Sequence, residues 1–150
     1  MDVYCHIFKH SSSGVELSNL NIPLPPGLSE EDAKKATQNR VWRYWGPSGQ
    51  LRASQRHISA SKSTKTWSTL SHEKVQKVTP GEVVRLDVQM WPTGVVFDAG
   101  EKLILKISGE KIGIAALPHL PKAVNENKGQ HVIHVGGESG ASLKFFTVDI

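Results

Sequence analysis

The sequence predicts an antiparallel β-sandwich, and three observations carry that prediction. Apolar and polar residues alternate with a period of two through nearly every apolar segment after residue 40. Turn-forming residues are frequent, with 13 glycines and 8 prolines placed between those segments. Only one stretch carries the start and charge signals of a helix. The chain has 150 residues and 38% hydrophobic content, enough for one core and therefore one domain, 1–150.

Taken in order, "DVYCHIF" reads as a strand with Val3, Cys5 and Ile7 on one face and Tyr4, His6 and Phe8 on the other. "SSSG" turns the chain, and Pro23, Pro25 and Pro26 in "NIPLPPG" forbid regular hydrogen bonding. "LSEEDAKKATQ" is the one predicted helix, a short one near residues 30–38. Ser29 serves as N-cap, Glu30, Glu31 and Asp32 sit at the positive end of the dipole, and Lys34 and Lys35 follow. "NRVWRYWG" alternates as a two-sided strand, with Trp42 and Tyr44 opposite Val41, Arg43 and Trp45.

From Gln55 to Lys77 the chain is rich in Ser, Thr and Lys and weakly patterned, a long surface crossing with Trp67 tucked inward. "EVVRLDVQM" then places Val84, Leu86, Val88 and Met90 opposite Arg85, Asp87 and Gln89. A turn at Asp98, Ala99 and Gly100 leads into "KLILKIS", where Leu103, Leu105 and Ile107 oppose Lys102 and Lys106. Finally "HVIHV" and "SLKFFTVDI" read as a hairpin, the last strand covered on both faces.

Composition bounds the function. A single cysteine, Cys5, allows no internal disulfide, and "MDVYCHIFKHSSSG" lacks the apolar run of a signal peptide, so a reducing, cytoplasmic location is expected. No window is apolar enough for a membrane span, and no membrane partner is expected. The formal charge is +4, and basic residues crowd the middle of the chain from Arg40 to Lys77 against one acid, Glu73. The interleaved Arg and aromatic residues of "NRVWRYWG" resemble a stacking platform for single strands. A two-sided sheet explains the same spacing, no nucleic-acid module is matched, and no nucleic-acid partner is expected.

Gly137-Glu138-Ser139-Gly140-Ala141 lies one residue from the G-x-S-x-G pattern of a serine hydrolase. A nucleophile elbow needs a helix immediately after its serine, whereas a strand is expected here, and no histidine follows Ser139. Ser139 is therefore read as part of a turn. His131 and His134, three apart on a strand, point to opposite faces and cannot chelate one ion together. No catalytic residue, metal or cofactor is expected. His119, stiffened by prolines on either side in "ALPHLPK", and His134 remain candidate pocket residues together with Trp45, Trp67 and Trp91.

"VTPGEVVRLDVQMWPTGVVFDAGEKLILKISG" resembles the signature run of the C-terminal domain of the X-Pro dipeptidyl-peptidase and cocaine-esterase (CocE/NonD) family of α/β-hydrolases. "GPSGQLRASQR" is similar to that family's Gly-x-Leu-Arg-Ala-Ser-His-Arg stretch, "DVYCHIFKHSSSG" to its Asp-Val strand and turn, and "LSNLNIPL" to an insert of its fungal-type members. "NKGQHVIHVGGESGASLKFFTVDI" resembles the family's closing segment. The resemblance covers nearly the whole chain in the right order. It implies a jelly-roll, galactose-binding-like sandwich that packs on a catalytic domain absent from this sequence. It also implies that the position of Ser139 has no catalytic role.

Two departures stand out: Gly100-Glu101 replaces the family's Gly-His, and Ser54-Gln55-Arg56 replaces Ser-His-Arg. Both are expected to reflect relaxed constraint on a hydrolase-facing surface. Met1 falls where the family has earlier strands, so the domain reads as N-terminally shortened. An exposed sheet edge is then expected to give a homodimer, or the missing strands to leave a cavity. The function expected is that of a stand-alone, non-catalytic sandwich binding a partner protein, such as a hydrolase chain, or a small apolar ligand. The alternative is a cyclase or isomerase working in an enclosed apolar pocket, with His119 or His134 as acid or base. Peptidase or esterase activity by this chain is the weakest reading.

Overall fold

A computed structural model of the chain describes residues 1–17, 19–20, 26–27, 43–44, 46–111, 125 and 127–148. Among the described residues six strands run in order: β1 (Asp2–His10), β2 (Glu16–Leu17), β3 (Asn19–Leu20), β4 (Arg43–Tyr44), β5 (Ser48–Arg52) and β6 (Lys102–Ser108). Every pairing is antiparallel, and the helical content among the described residues is two short 3-10 turns, Ala53–Gln55 and Gly137–Ser139. The fold is all-β, consistent with a sandwich domain. The helix expected near 30–38 lies outside the described residues.

β1 is the centre of the main sheet. One of its edges takes β5, with Val3 opposite Leu51 and Cys5 opposite Gly49, and then β2, with Lys9 opposite Leu17. Its other edge takes β6 along its whole length, with Cys5 opposite Ile107 and Ile7 opposite Leu105. Directly opposed residues of antiparallel strands share a face. The alternation read from the sequence therefore places Val3, Cys5 and Ile7 on one face with Leu51, Leu105 and Ile107.

Val3, Cys5, Ile7, Phe8, Leu51 and Ala53 are the buried apolar residues, so the described core sits on β1, β5 and the turn after β5. The second face of β1 is also covered, where the His6 and Phe8 rings stack with centroids 4.2 Å apart. Burial pushes the Cys5 thiol pKa up, which keeps it protonated and poorly nucleophilic.

Two side-chain devices hold the Asp2 end of this sheet. Asp2 accepts a two-pronged ion pair from Arg52, at 2.7 Å from Nε and 3.0 Å from Nη2. The Arg52 guanidinium holds the Asp2 carboxyl below its ordinary value. Asn127 acts as a substitute strand: its Oδ1 accepts from the Asp2 amide at 2.6 Å, and its Nδ2 donates to the carbonyls of Asp2 and Gly109 at 2.8 and 2.6 Å. Backbone groups at the end of β1 are thus satisfied by an amide side chain far away in sequence.

Glu101, the first of the two family departures, is built into the fold. Its carboxylate meets Lys9 Nζ at 2.7 Å and accepts from the Asp98 amide at 2.7 Å, closing the turn before β6. Both partners, Lys9 first, pull its pKa down.

Several expected strands are not strands. Residues 84–90 form no ladder, and apolar and polar residues alike are half-buried from Leu86 to Met90. A single backbone bond, from the Trp91 amide to the Ser48 carbonyl at 3.2 Å, ties this segment to β5. Residues 131–135 and 141–148 form no strand either. The cover expected over the last strand is absent, with Phe146 81% and Val148 83% exposed. Alternation fits a residue set to a pleated surface, but ladder bonds need a neighbour at the right distance, and none of the described segments supplies one there.

Candidate functional site

Two adjoining clefts lie beside β5. Gly49 opens the way for them: a Cβ at this position would overlap the Gln89 carbonyl oxygen, so the backbone at 89–91 runs directly against the strand. Gln50 of β5 and Gln89 of the passing segment line both clefts and divide them.

The larger cleft, of about 410 Å³, is bordered by Trp67, Lys62, His72, Asp87, Gln50 and Gln89. Trp67 was expected to tuck inward, yet it is 41% exposed. The reason is local. Ser and Thr hydroxyls between residues 57 and 71 bond to the loop's own backbone, which needs no apolar anchor. Ser63 Oγ donates to the Ser59 carbonyl and accepts from the Thr69 amide, while Thr69 Oγ1 donates to the Lys62 carbonyl. Thr64 Oγ1 accepts from the Trp67 amide at 3.0 Å. An antiparallel bridge between Ile58 and Leu70, and a 2.7 Å contact between His57 Nδ1 and the hydroxyl of buried Ser71, close the base. The supposed surface crossing is a self-bonded loop that presents Trp67.

Asp87 and Gln89 reach the same cleft because they share the polar face of the 84–90 segment, as the alternation predicts. Asp87 Oδ1 accepts from Arg85 Nε and Nη2 at 3.0 and 2.8 Å. His72, at the lip, has a φ of +57°, the sole positive φ among the described residues other than glycine.

The smaller cleft, of about 280 Å³, is bordered by Tyr4, Ser48, Gln50, Gln89, Trp91 and Lys111. Trp91 is 78% exposed. Two of the candidate aromatics thus flank a shared pair of glutamines. His134 is exposed and borders neither cleft, while Trp45 and His119 lie outside the described residues. The glutamines were not singled out in the sequence; the parity of Gln89 with Asp87 was the available signal.

Ser139 ends a 3-10 turn spanning Gly137–Ser139, and Gly136 and Gly137 take φ of 77° and 57° to make it. The residues after it, 141–148, are not helical. A nucleophile elbow is therefore not formed, in agreement with the sequence. Among the described residues no group of three or more His, Cys, Asp or Glu is placed to hold a metal ion, and no helix is long and apolar enough to cross a membrane.

Amides, hydroxyls and the Trp67 and Trp91 rings thus border two open clefts. No curated protein and no solved structure matches the chain. A family model does match, that of the X-Pro dipeptidyl-peptidase C-terminal non-catalytic domain, over residues 24–144. The matched stretch holds β5, β6 and both Trp67 and Trp91, while β1 precedes it. The chain belongs to the family of X-Pro dipeptidyl-peptidase C-terminal non-catalytic domains.

Proposed function

We propose that this chain acts by docking a partner protein, the hydrolase domain of an X-Pro dipeptidyl-peptidase or cocaine-esterase-type enzyme. The observation that supports it is the apolar surface left open on segments that alternate as strands do. Trp91, Val132, Val135, Phe146 and Val148 are 72–83% exposed. Scattered apolar residues are ordinary, but aromatic and β-branched side chains this far exposed in pairs, Val132 with Val135 and Phe146 with Val148, suit a surface that a partner covers. The chain contributes no chemistry of its own in this reading, and Cys5, a free and buried thiol, suits a reducing cytoplasmic setting.

The test uses immobilised chain and the catalytic domain of an X-Pro dipeptidyl-peptidase prepared without its own C-terminal domain. Saturable binding is expected, weakened roughly tenfold or more by Trp91→Ala, since exposed tryptophans are common anchors of interfaces. No binding overturns the proposal. Turnover of an X-Pro anilide by the chain alone overturns its non-catalytic part.

A second reading rests on the Trp67 cleft. There an aromatic plane sits beside Asp87, Gln50, Gln89 and Lys62, which suits a small polar ligand with one flat apolar face. A free X-Pro dipeptide is the probe. A saturable change in tryptophan fluorescence that disappears in Trp67→Phe carries this reading, and a flat titration removes it. The cyclase or isomerase alternative called for an enclosed apolar cavity, whereas the two clefts found among the described residues are both open to solvent.

A further inference from the structure

The two clefts beside β5 share Gln50 and Gln89, and the residues around that pair fall in order along one line. On β5, Ser48 borders the smaller cleft, Gln50 both, and Leu51 the larger. On the passing segment, Trp91 borders the smaller cleft, Gln89 both, and Asp87 the larger. The bond from the Trp91 amide to the Ser48 carbonyl ties the two runs together at the smaller cleft. We propose that the clefts are the halves of one elongated site, which takes a short extended peptide with its C-terminal carboxylate at Lys111. This deepens the cleft reading above and rests on its Trp67 half.

Length and hydrogen-bonding capacity both fit a peptide. From Ser48 to Leu51 the strand covers about 10 Å at about 3.3 Å per residue, the span of an extended tetrapeptide. Gln50 and Gln89 each carry an amide donor and an amide acceptor, the complement of a peptide bond. The backbone of Gln50 adds a second such pair. Hydrogen-bonding groups alternate sides along a strand, and the Ser48 carbonyl faces away from β1 to meet Trp91. The Gln50 amide and carbonyl therefore face the same way, and they have no backbone partner among the described residues. Main-chain pairing with side-chain pockets to either side is a recurrent mode of peptide recognition. Trp67 in one half and Trp91 in the other offer apolar planes, so apolar side chains belong at the first and last positions of the peptide.

Charge sets the direction. Among the described residues Lys111 is the sole charged side chain at the smaller cleft. It is exposed, and no described acid pairs with it. The larger cleft holds both signs, Lys62 and Asp87, and Arg85 already bonds twice to Asp87 Oδ1. A carboxylate is thus favoured at the Trp91 end, while the Trp67 end, nearly balanced in charge, accepts the start of the peptide.

The experiment is calorimetric titration of the full chain with the tetrapeptide Leu-Ala-Ala-Leu, its C-terminal amide and the dipeptide Ala-Leu. The tetrapeptide should bind about tenfold or more tighter than the dipeptide, because it alone reaches both halves. Amidation should weaken it about threefold to fivefold, the effect of one exposed ion pair. Lys111→Gln, a change at an exposed side chain, should erase the difference between acid and amide and leave the amide's affinity as it was. Trp67→Ala should bring the tetrapeptide down to the affinity of the dipeptide and leave the dipeptide unchanged. Equal binding of tetrapeptide and dipeptide, or of acid and amide by the parent, overturns the proposal. If that happens while an X-Pro dipeptide still responds to Trp67→Phe, the single-cleft reading survives without it. Absence of binding by every peptide, the X-Pro dipeptide included, removes both.

Discussion

β1 and the segment 141–148 carry the same kind of pattern and meet opposite fates. In β1, Val3, Cys5 and Ile7 alternate with Tyr4, His6 and Phe8, and all but Tyr4 are buried in a strand that has partners on both edges. In the later segment Leu143 and Phe145 alternate with Phe146 and Val148, yet the last three are 62–83% exposed and no strand pairs with them. A period of two states which residues would share a face. It does not supply the partner whose amides and carbonyls complete the ladder, nor the second layer that removes the face from water.

The sharpest way to break the contrast is at Gly49, where even one added carbon meets backbone. Gly49→Ala should cost more than about 3 kcal/mol in urea unfolding, because neither β5 nor the Gln89 carbonyl can yield cheaply. Stability close to the parent would mean that the 89–91 segment does not lie against β5. Ile7→Ala, in the middle of β1, should cost about 3 kcal/mol by the same measurement, from lost burial and the cavity left behind. A cost under about 1 kcal/mol would place the core elsewhere.

Asn127→Ala should cost about 1–2 kcal/mol, because it leaves the Asp2 amide and carbonyl to find water and leaves the Gly109 carbonyl with Asn125 Nδ2 in place of two donors. Amide hydrogen exchange at Asp2 should accelerate with it; unchanged exchange would show that the clamp is dispensable. Lowering the pH probes the Asp2–Arg52 pair. Its folded carboxyl pKa lies below the unfolded value, so its stabilisation is full above about pH 4 and is lost as the pH falls through the folded pKa. The loss should amount to at most about 1 kcal/mol, since the guanidinium is half exposed, and Asp2→Asn should flatten that part of the stability profile. An unchanged profile would assign the acid sensitivity to other carboxylates. Smallest of all, Phe146→Ala should change the stability of the isolated chain by no more than about 0.5 kcal/mol. A large loss there would erase the contrast with β1.

The legible parts of the fold are those where the needed partner is close in sequence or chemically unmistakable. The alternation in β1 and β6 and the turn at Asp98 to Gly100 stand as read, and Ser139 lies in a turn, though not the turn of a hairpin. Asp87 and Gln89, of equal parity in the 84–90 segment, arrive together at the Trp67 cleft. Trp67 itself was misplaced because a large aromatic in a polar stretch reads as an anchor. In the structure, the serine and threonine hydroxyls around it already hold the loop.

By itself, then, the sequence determined the all-β class, the family, the faces of the strands and the failure of the serine-hydrolase pattern, because each rests on local spacing or on which residues are present. Only the tertiary structure decided that β1 is central, that Asn127 stands in for a strand, and that Gln50 and Gln89 divide two clefts. Those facts depend on which distant segments come within hydrogen-bonding distance, a distance of about 3 Å that no periodicity encodes.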